Sequence, residues 1–427
     1  MRKIKSCILV CGALLLLSAC GKQPAAQEPT VALTPTVAAE PTATATPTPT
    51  TKPTPTEKPT PTPMGTNLPA GIGLKNSYGE TFGHIGTCVN GRQFSDPAAL
   101  AFIKEHFNSI TMENEMKPDA VLGSSATLIS LDEAKALGYV IPENYKESMV
   151  PQLNFYYTDR ALQFCVENDM GLRGHTLVWH SQTPSWFFKE DFKSSGAFVS
   201  PEVMDARLEF FIRSVMGHVY DQDNGSALYS WDVVNEYVHA NENGWKQVYG
   251  EEGLSAGFVK KAFVIADDVL RQYGIREKVS LLYNDFNTYS EMVQIINLLE
   301  FVNSDGKVCD GVGMQSHLTV DSPHVIKYIT AMKKFLEAGH EVHITELDVG
   351  NSNDIYQAQY CYDIMEKMLE LKKEGAAING ITWWGVADTN SWRQGEKALM
   401  FKTIKTPKAS YYKVLEAYVD AGLYTEE

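Results

Sequence analysis

Two short runs of this 427-residue chain carry a glutamate at the end of a β-rich stretch: Trp231-Asp232-Val233-Val234-Asn235-Glu236 and Ile344-Thr345-Glu346-Leu347-Asp348. Alternate side chains of a strand face opposite ways, so Glu236 and Glu346 can look into one pocket from nearly opposite walls. A facing carboxyl pair can break a glycosidic bond. One carboxyl protonates the leaving oxygen while the other attacks or activates water, through an oxocarbenium-like transition state. Taken singly, a strand-end Glu is more often a cap or an ion-pair partner. Here, however, five other apolar runs also end in polar or indole side chains: Glu113 and Asn114, His175, Asn284, Gln315 and His317, and Trp384. A shared site explains so many similar endings better than separate caps do.

The elements that would hold these groups alternate. Strand-like runs fall near 82–89, 109–112, 172–178, 229–234, 279–283, 311–316, 342–345 and 380–384. Helical patterns lie between and after them, with apolar positions three or four apart at 97–107, 158–168, 204–219 and 357–373. Eight strand–helix pairs at roughly 45 residues each predict an α/β fold of the (β/α)8 TIM-barrel type with enlarged loops. A doubly wound sheet would show the same alternation. The polar strand ends favour the barrel, whose sites are built at the C-terminal ends of several strands. The stretch 119–152 reads as an enlarged loop after the second strand.

Ahead of the barrel, composition changes sharply. Arg2, Lys3 and Lys5 precede an apolar stretch from Ile8 to Ala19, too short to span a bilayer of roughly 30 Å as a helix. It reads as an export signal. The ending Leu17-Ser18-Ala19-Cys20 resembles a bacterial lipoprotein signal, which implies lipidation at Cys20 and anchoring rather than spanning. From Pro24 to Pro63 there are 11 Pro and 13 Thr and no aromatic residue, too little apolar surface to offset ordering. This is a linker, and as extended polyproline chain it would reach on the order of 100 Å. The expected organisation is therefore a signal at 1–20, a disordered linker at 21–66 and a catalytic domain at 67–427, exported and held at a bacterial membrane or cell surface.

Beyond residue 66 stand 31 basic and 49 acidic residues, with no Lys/Arg run, which excludes nucleic acid as a main partner. Cys88, Cys165, Cys309 and Cys361 fit no C-x-x-C pattern; they are buried thiols or one of three possible pairings. His340 and His343 bracket Glu341 without forming H-E-x-x-H, and read as a polar strand start.

Seven motifs, in order, resemble glycoside hydrolase family 10, the endo-1,4-β-xylanases. They are T-M-E-N-E-M-K at 111–117, G-H-T-L-V-W-H-S-Q at 174–182, W-D-V-V-N-E at 231–236, Y-N-D-F-N at 283–287, M-Q-S-H-L at 314–318, I-T-E-L-D at 344–348 and W-G-V-A-D-T-N-S-W-R at 384–393. The resemblance implies Glu236 as acid/base, Glu346 as nucleophile, Asn235 on the sugar 2-hydroxyl and His317 orienting Glu346. It further implies Glu113, Asn114, Lys117, His175 and Gln182 on the non-reducing side, Gln315 near the reaction centre, and Trp179, Trp384 and Trp392 as walls. That mix suits a sugar cleft, where aromatic faces cover ring C–H groups and polar groups satisfy hydroxyls. Trp231 and Trp383 read as packing, Asp232 and Asp348 as hydrogen-bond partners behind the site rather than catalysts, and His180 as satisfying a neighbour. Pro118 stands where a Trp commonly follows the Lys, and Phe286 replaces the usual Tyr on the leaving-group side.

The expectation is a retaining, monomeric endo-xylanase without cofactor or metal, acting on xylan and xylo-oligosaccharides and touching the membrane only through its lipid. One rival is a barrel glycosidase of cellulose or mixed glucan, disfavoured because Tyr237 follows Asn235-Glu236 where such cellulases commonly have Pro. The other is a sugar-binding lipoprotein, which would need no opposed glutamates.

Overall fold

The computed structural model describes residues 68–351 and 353–425; the expected export signal, Cys20 and the Pro/Thr linker lie outside the described residues. Eight parallel strands form the inner ring: β1 Ile85–Val89, β2 Ser109–Met112, β3 Gly171–Trp179, β4 Leu228–Asn235, β5 Ser280–Asp285, β6 Gly311–Met314, β7 Glu341–Gly350 and β8 Ile378–Trp383. Strand β8 pairs with both β7 and β1, with Ile85 opposite Ile381, so the sheet closes on itself and the open doubly wound alternative is excluded. The principal helices are α1 Pro97–His106, α2 Tyr156–Glu167, α3 Pro201–Tyr220, α4 Gly257–Gln272, α5 Thr288–Val302, α6 Val325–Glu337, α7 Asp354–Lys373 and α8 Ala409–Asp420.

Helix starts follow local chemistry. Asp96 caps α1 by accepting from the Ala98 amide at 2.9 Å, with Pro97 in the first turn, where no amide hydrogen is needed. Asn353 caps α7 through the Ile355 amide at 3.0 Å. Strand alternation then sorts side chains between the helix layer and the barrel interior. On β4, Trp231 is fully buried and its indole donates to the Tyr220 hydroxyl of α3 at 2.9 Å, while its neighbour Asp232 meets Arg173 inside the ring. Trp383 is likewise buried, so both indoles pack as the sequence reading expects.

Three expectations need correction. The first strand begins at Ile85, because Tyr78–Phe82 forms a short helix that Gly83 ends at φ 77. The seventh strand runs on to Gly350 because its two halves pair differently, Glu341–Ile344 with β6 and Asp348–Gly350 with a short strand at His317–Thr319. The 119–152 stretch is ordered structure. It carries helices Pro118–Leu122 and Leu131–Ala136 and an antiparallel pair, Leu128–Ser130 against Met149–Pro151. Ser130 and Glu133 form a capping box, a signal present in the sequence. Glu147 pins this insertion to the fully buried Arg207 of α3, at 2.7 Å from its Nε. Cys88, Cys165, Cys309 and Cys361 are all buried and unpaired. Glu341 does open β7, with His343 buried and its Nε2 3.3 Å from the Glu341 carboxylate.

Candidate active site

The fourteen barrel residues singled out in the sequence converge on one cavity of about 590 Å³ at the C-terminal end of the ring, and Asn287 joins them. Glu236 lies one residue beyond β4 with φ 59. A left-handed backbone at a non-glycine residue costs ~1–3 kcal/mol and persists only where its surroundings hold it. Part of that hold is the Glu236 amide donating to the Asn284 carbonyl at 2.8 Å. Its carboxyl accepts from the Trp179 indole and from the Gln315 amide, each at 2.8 Å. Burial pushes the Glu236 pKa above the ordinary carboxylate value; the Gln315 and Trp179 hydrogen bonds oppose this, and the negative charges of Glu346 and Asp285 reinforce it.

Glu346 sits within β7 and is only 4% exposed. It accepts from the Asn284 side-chain amide at 2.8 Å and lies 3.2 Å from His317 Nε2. Burial pushes its pKa up, but the His317 hydrogen bond and nearby positive charge at His175, His317 and Arg173 outweigh burial and hold it at about 2. His175 is itself kept below the usual imidazole range by burial, so at neutral pH the effective cations are His317 and Arg173. The His317 pKa is raised to about 9: burial lowers it, and Asp348 and Glu346 on either side more than compensate.

Behind these groups runs a second tier. Asp348 meets His317 Nδ1 at 3.0 Å, accepts from the Trp392 indole at 3.0 Å and from Arg393 at 2.5 Å. Arg173 crosses the barrel interior, donating to Asp232 and, at 2.7 Å, to the Thr345 carbonyl. Asp232 also holds His175 Nδ1 at 2.7 Å. Both aspartates therefore sit where the sequence reading puts them, one step behind the cavity-lining groups.

On the cleft walls, Glu113 accepts from Asn90 at 3.1 Å, Lys117 donates to Asn114 at 3.1 Å and lies 4.8 Å above the Trp179 ring, and Gln182 donates to Asp119 at 3.3 Å. Burial lowers the Lys117 pKa, and the charges of Glu346, Glu113 and Glu236 work against that. Trp384 is buried, edge-on to His175 with ring centres 5.5 Å apart, whereas Trp392 is 59% exposed. Pro118 opens the short helix after Lys117, which settles the loop shape there. Phe286 lines the cavity and stacks on His239 at 4.0 Å.

The sequence reading missed some members. Asn284, noted only as a strand ending, lies within hydrogen-bonding reach of Asn235 and Glu346 at once. Arg173 was overlooked, although it stands two residues before His175 on β3 and so shares its inward face. Trp179 is more than a wall, since its indole bonds Glu236. The buried Nδ1 of His180 has no hydrogen-bond partner among the described residues, so the expectation that it satisfies a neighbour fails at that atom.

A closed parallel barrel that presents one carboxyl raised above and one held below the ordinary carboxylate value to the same sugar-sized cleft has the means to supply acid from one wall and a carboxylate from the other, the requirement for cleaving an acetal. Residues 73–417 match the sequence profile of Glycosyl hydrolase family 10, and the chain belongs to that family. It is 47% identical over 348 residues to endo-1,4-β-xylanase A of Butyrivibrio fibrisolvens, covering 81% of this chain and 85% of that one. It is 36% identical over 353 residues to a bifunctional endo-1,4-β-xylanase of Ruminococcus flavefaciens, 80% of this chain but 34% of that longer protein. Among solved structures, the N-terminal endo-1,4-β-D-xylanase 10B of Clostridium thermocellum complexed with xylohexaose superposes with a TM-score of 0.69 at 31% identity, over 83% of this chain and 69% of that one.

Proposed function

We propose that this protein is an endo-1,4-β-xylanase that hydrolyses internal β-1,4-xylosidic bonds with retention of configuration. Family membership and the named relatives support the activity. The observation that carries the division of labour is the opposite displacement of two carboxyls in one cleft, Glu346 held at about 2 and Glu236 raised. Glu346 attacks the anomeric carbon as the group ionised at working pH, and Glu236 protonates the departing oxygen, then as a base activates the water that releases the glycosyl enzyme. Acid, nucleophile and base are thus all carboxyl groups, and the mechanism calls on no cofactor. His317 orients Glu346, and Asn235 serves the 2-hydroxyl. Glu113, Asn114, Lys117, His175 and Gln182 hold the non-reducing side beside Trp179, Trp384 and Trp392, while Gln315 lies at the reaction centre and Phe286 on the leaving-group side. The deciding assay is release of reducing ends from β-1,4-xylan and from carboxymethyl cellulose. Xylan should be cut far faster; comparable rates would replace the reading with a broader β-glycanase, and no release from either would leave a sugar binder.

The first 66 residues extend the proposal: a lipid on Cys20 and an extended linker would hold a monomeric enzyme away from the membrane, within reach of a polymer. The signal-like stretch ending at Ala19-Cys20 and the Pro/Thr composition support it. Cys20→Ala should move the protein from the membrane fraction to the soluble one; an unchanged distribution would refute the anchor.

A further inference from the structure

Glu236 depends on more than the two donors at its carboxyl. The loop that follows β4 is tied to the end of β5 at three successive points. The Glu236 amide donates to the Asn284 carbonyl at 2.8 Å, the Val238 amide donates to the Tyr283 hydroxyl at 2.9 Å, and His239 Nδ1 lies 2.8 Å from Asp285 Oδ1. Asp285 is fully buried, and its other oxygen accepts the Tyr283 hydroxyl at 2.5 Å. The Gln315 amide, whose side chain holds Glu236, donates to the Asp285 carbonyl at 3.0 Å. Apart from the Trp179 indole on β3, the ties of Glu236 and its loop thus gather at the β5 end Tyr283–Asp285, and His239 adds the contact to Asp285.

We infer that His239, paired with Asp285 and Tyr283, is a positioning residue that holds the β4 loop so that Glu236 keeps its left-handed backbone and points its proton at the leaving oxygen. His239 does not line the cavity. It acts through Glu236 and through Phe286, on which its ring stacks at 27° between planes. The groups that face it are mostly acidic: Asp285 at the end of β5, Glu291 on α5 and Glu236 on its own loop, with His180 on the loop after β3 an opposing imidazole. Burial alone would lower the His239 pKa, and these carboxylates raise it instead. A 2.8 Å hydrogen bond at a loop end to a fully buried carboxyl is a local tie whose loss leaves that buried group short of a partner.

The inference rests on Glu236 being the acid/base, and the test separates the two. It compares kcat/KM for xylotetraose, whose leaving group needs the proton, with kcat/KM for an activated aryl β-xylobioside, whose leaving group does not. Glu236→Ala is run alongside. His239→Ala and Tyr283→Phe should each lower kcat/KM on xylotetraose by about ten- to hundredfold while changing the aryl substrate by less than about threefold. His239→Gln, which keeps an N–H for Asp285, should recover most of the loss. Should His239→Ala not fold, Tyr283→Phe carries the same comparison, since it removes only the hydroxyl that joins Asp285 to the Val238 amide. Equal losses on both substrates, or none on either, would overturn the inference while Glu236→Ala still shows the split. If Glu236→Ala itself shows no split, the acid/base assignment falls and the inference falls with it.

Discussion

Glu236 and Glu346 hang from strands β4 and β7 into the same cleft, and both are largely removed from water, yet they differ in who donates to them. Around Glu236 the donors are neutral, an indole and an amide. Around Glu346 one donor is an imidazole whose own pKa lies at about 9, and the Arg173 guanidinium adds charge from beneath. Neutral donors offset part of the cost of burying a carboxylate, whereas a nearby cation reverses it. The contrast teaches that the split is set by the second tier. Asp348 keeps His317 charged and Asp232 fixes Arg173 in place, so the roles of two identical residues are decided by side chains one step behind them.

The largest expected break in this comparison comes from the Glu346 wall. Glu346→Ala removes the attacking atom and should lower turnover of xylan and of activated aryl glycosides alike, by about 10⁴-fold or more. Steady-state rates on both substrates check it, and a variant that still turned over the aryl glycoside would put the nucleophile elsewhere.

Glu236→Ala should be more selective. It should cost about 10²- to 10⁴-fold on xylan, while an aryl glycoside still forms the glycosyl enzyme, which accumulates for want of a base and is released by azide. Burst kinetics with and without azide measure this. Equal losses for both substrates in both variants would erase the distinction between the walls.

A third experiment sharpens the electrostatic half. His317→Ala removes a cation and a hydrogen bond, so the Glu346 pKa should rise from about 2 toward the usual carboxylate range and the acidic limb of kcat/KM should move up in pH. The sign carries over to stability. Glu346, with its folded value depressed, contributes stability that is present above an unfolded value of about 4.3 and is lost as pH falls through about 2. The urea midpoint should therefore fall between pH 5 and pH 2 less steeply in Glu346→Gln than in the parent. Parallel pH dependences would mean that Glu346 is not depressed.

The smallest effect belongs to the substrate wall. Xylose lacks the hydroxymethyl group of glucose, and a bulky wall rejects glucose by a clash rather than by one missing contact worth about 1 to 3 kcal/mol. Trp392 is exposed and tethered by its indole to Asp348. Trp392→Ala should narrow the xylan-to-cellulose rate ratio by about tenfold and cost some xylan activity through lost stacking. An unchanged ratio would move the specificity wall off Trp392.

The fold and most of the cleft were legible because strand alternation and strand-end chemistry are local properties of sequence. The eight strand runs and the polar groups at their ends could be read directly. Less visible were contacts that only ring closure creates. Arg173 reaches Asp232 and Thr345 across the barrel, and nothing in the run around Gly171 announces those partners. The pairing of His239 with Asp285 joins residues 46 apart in the chain and is equally hidden. The 119–152 insertion was visible as an enlarged loop, but its internal structure was missed for another reason. Its strands are three residues each, too short for a periodic signal, and only the Ser130–Glu133 capping box marked it.

The central claim, that Glu346 attacks while Glu236 serves as acid and base, is tested most directly by trapping the intermediate. A xylobioside activated at the anomeric carbon and fluorinated at C2 slows release, so the glycosyl enzyme persists long enough for proteolysis and mass spectrometry. The account expects one sugar adduct, on the peptide containing Glu346, with β-anomers as the first products of normal turnover. An adduct on the Glu236 peptide, or no adduct together with initial release of α-anomers, would contradict it.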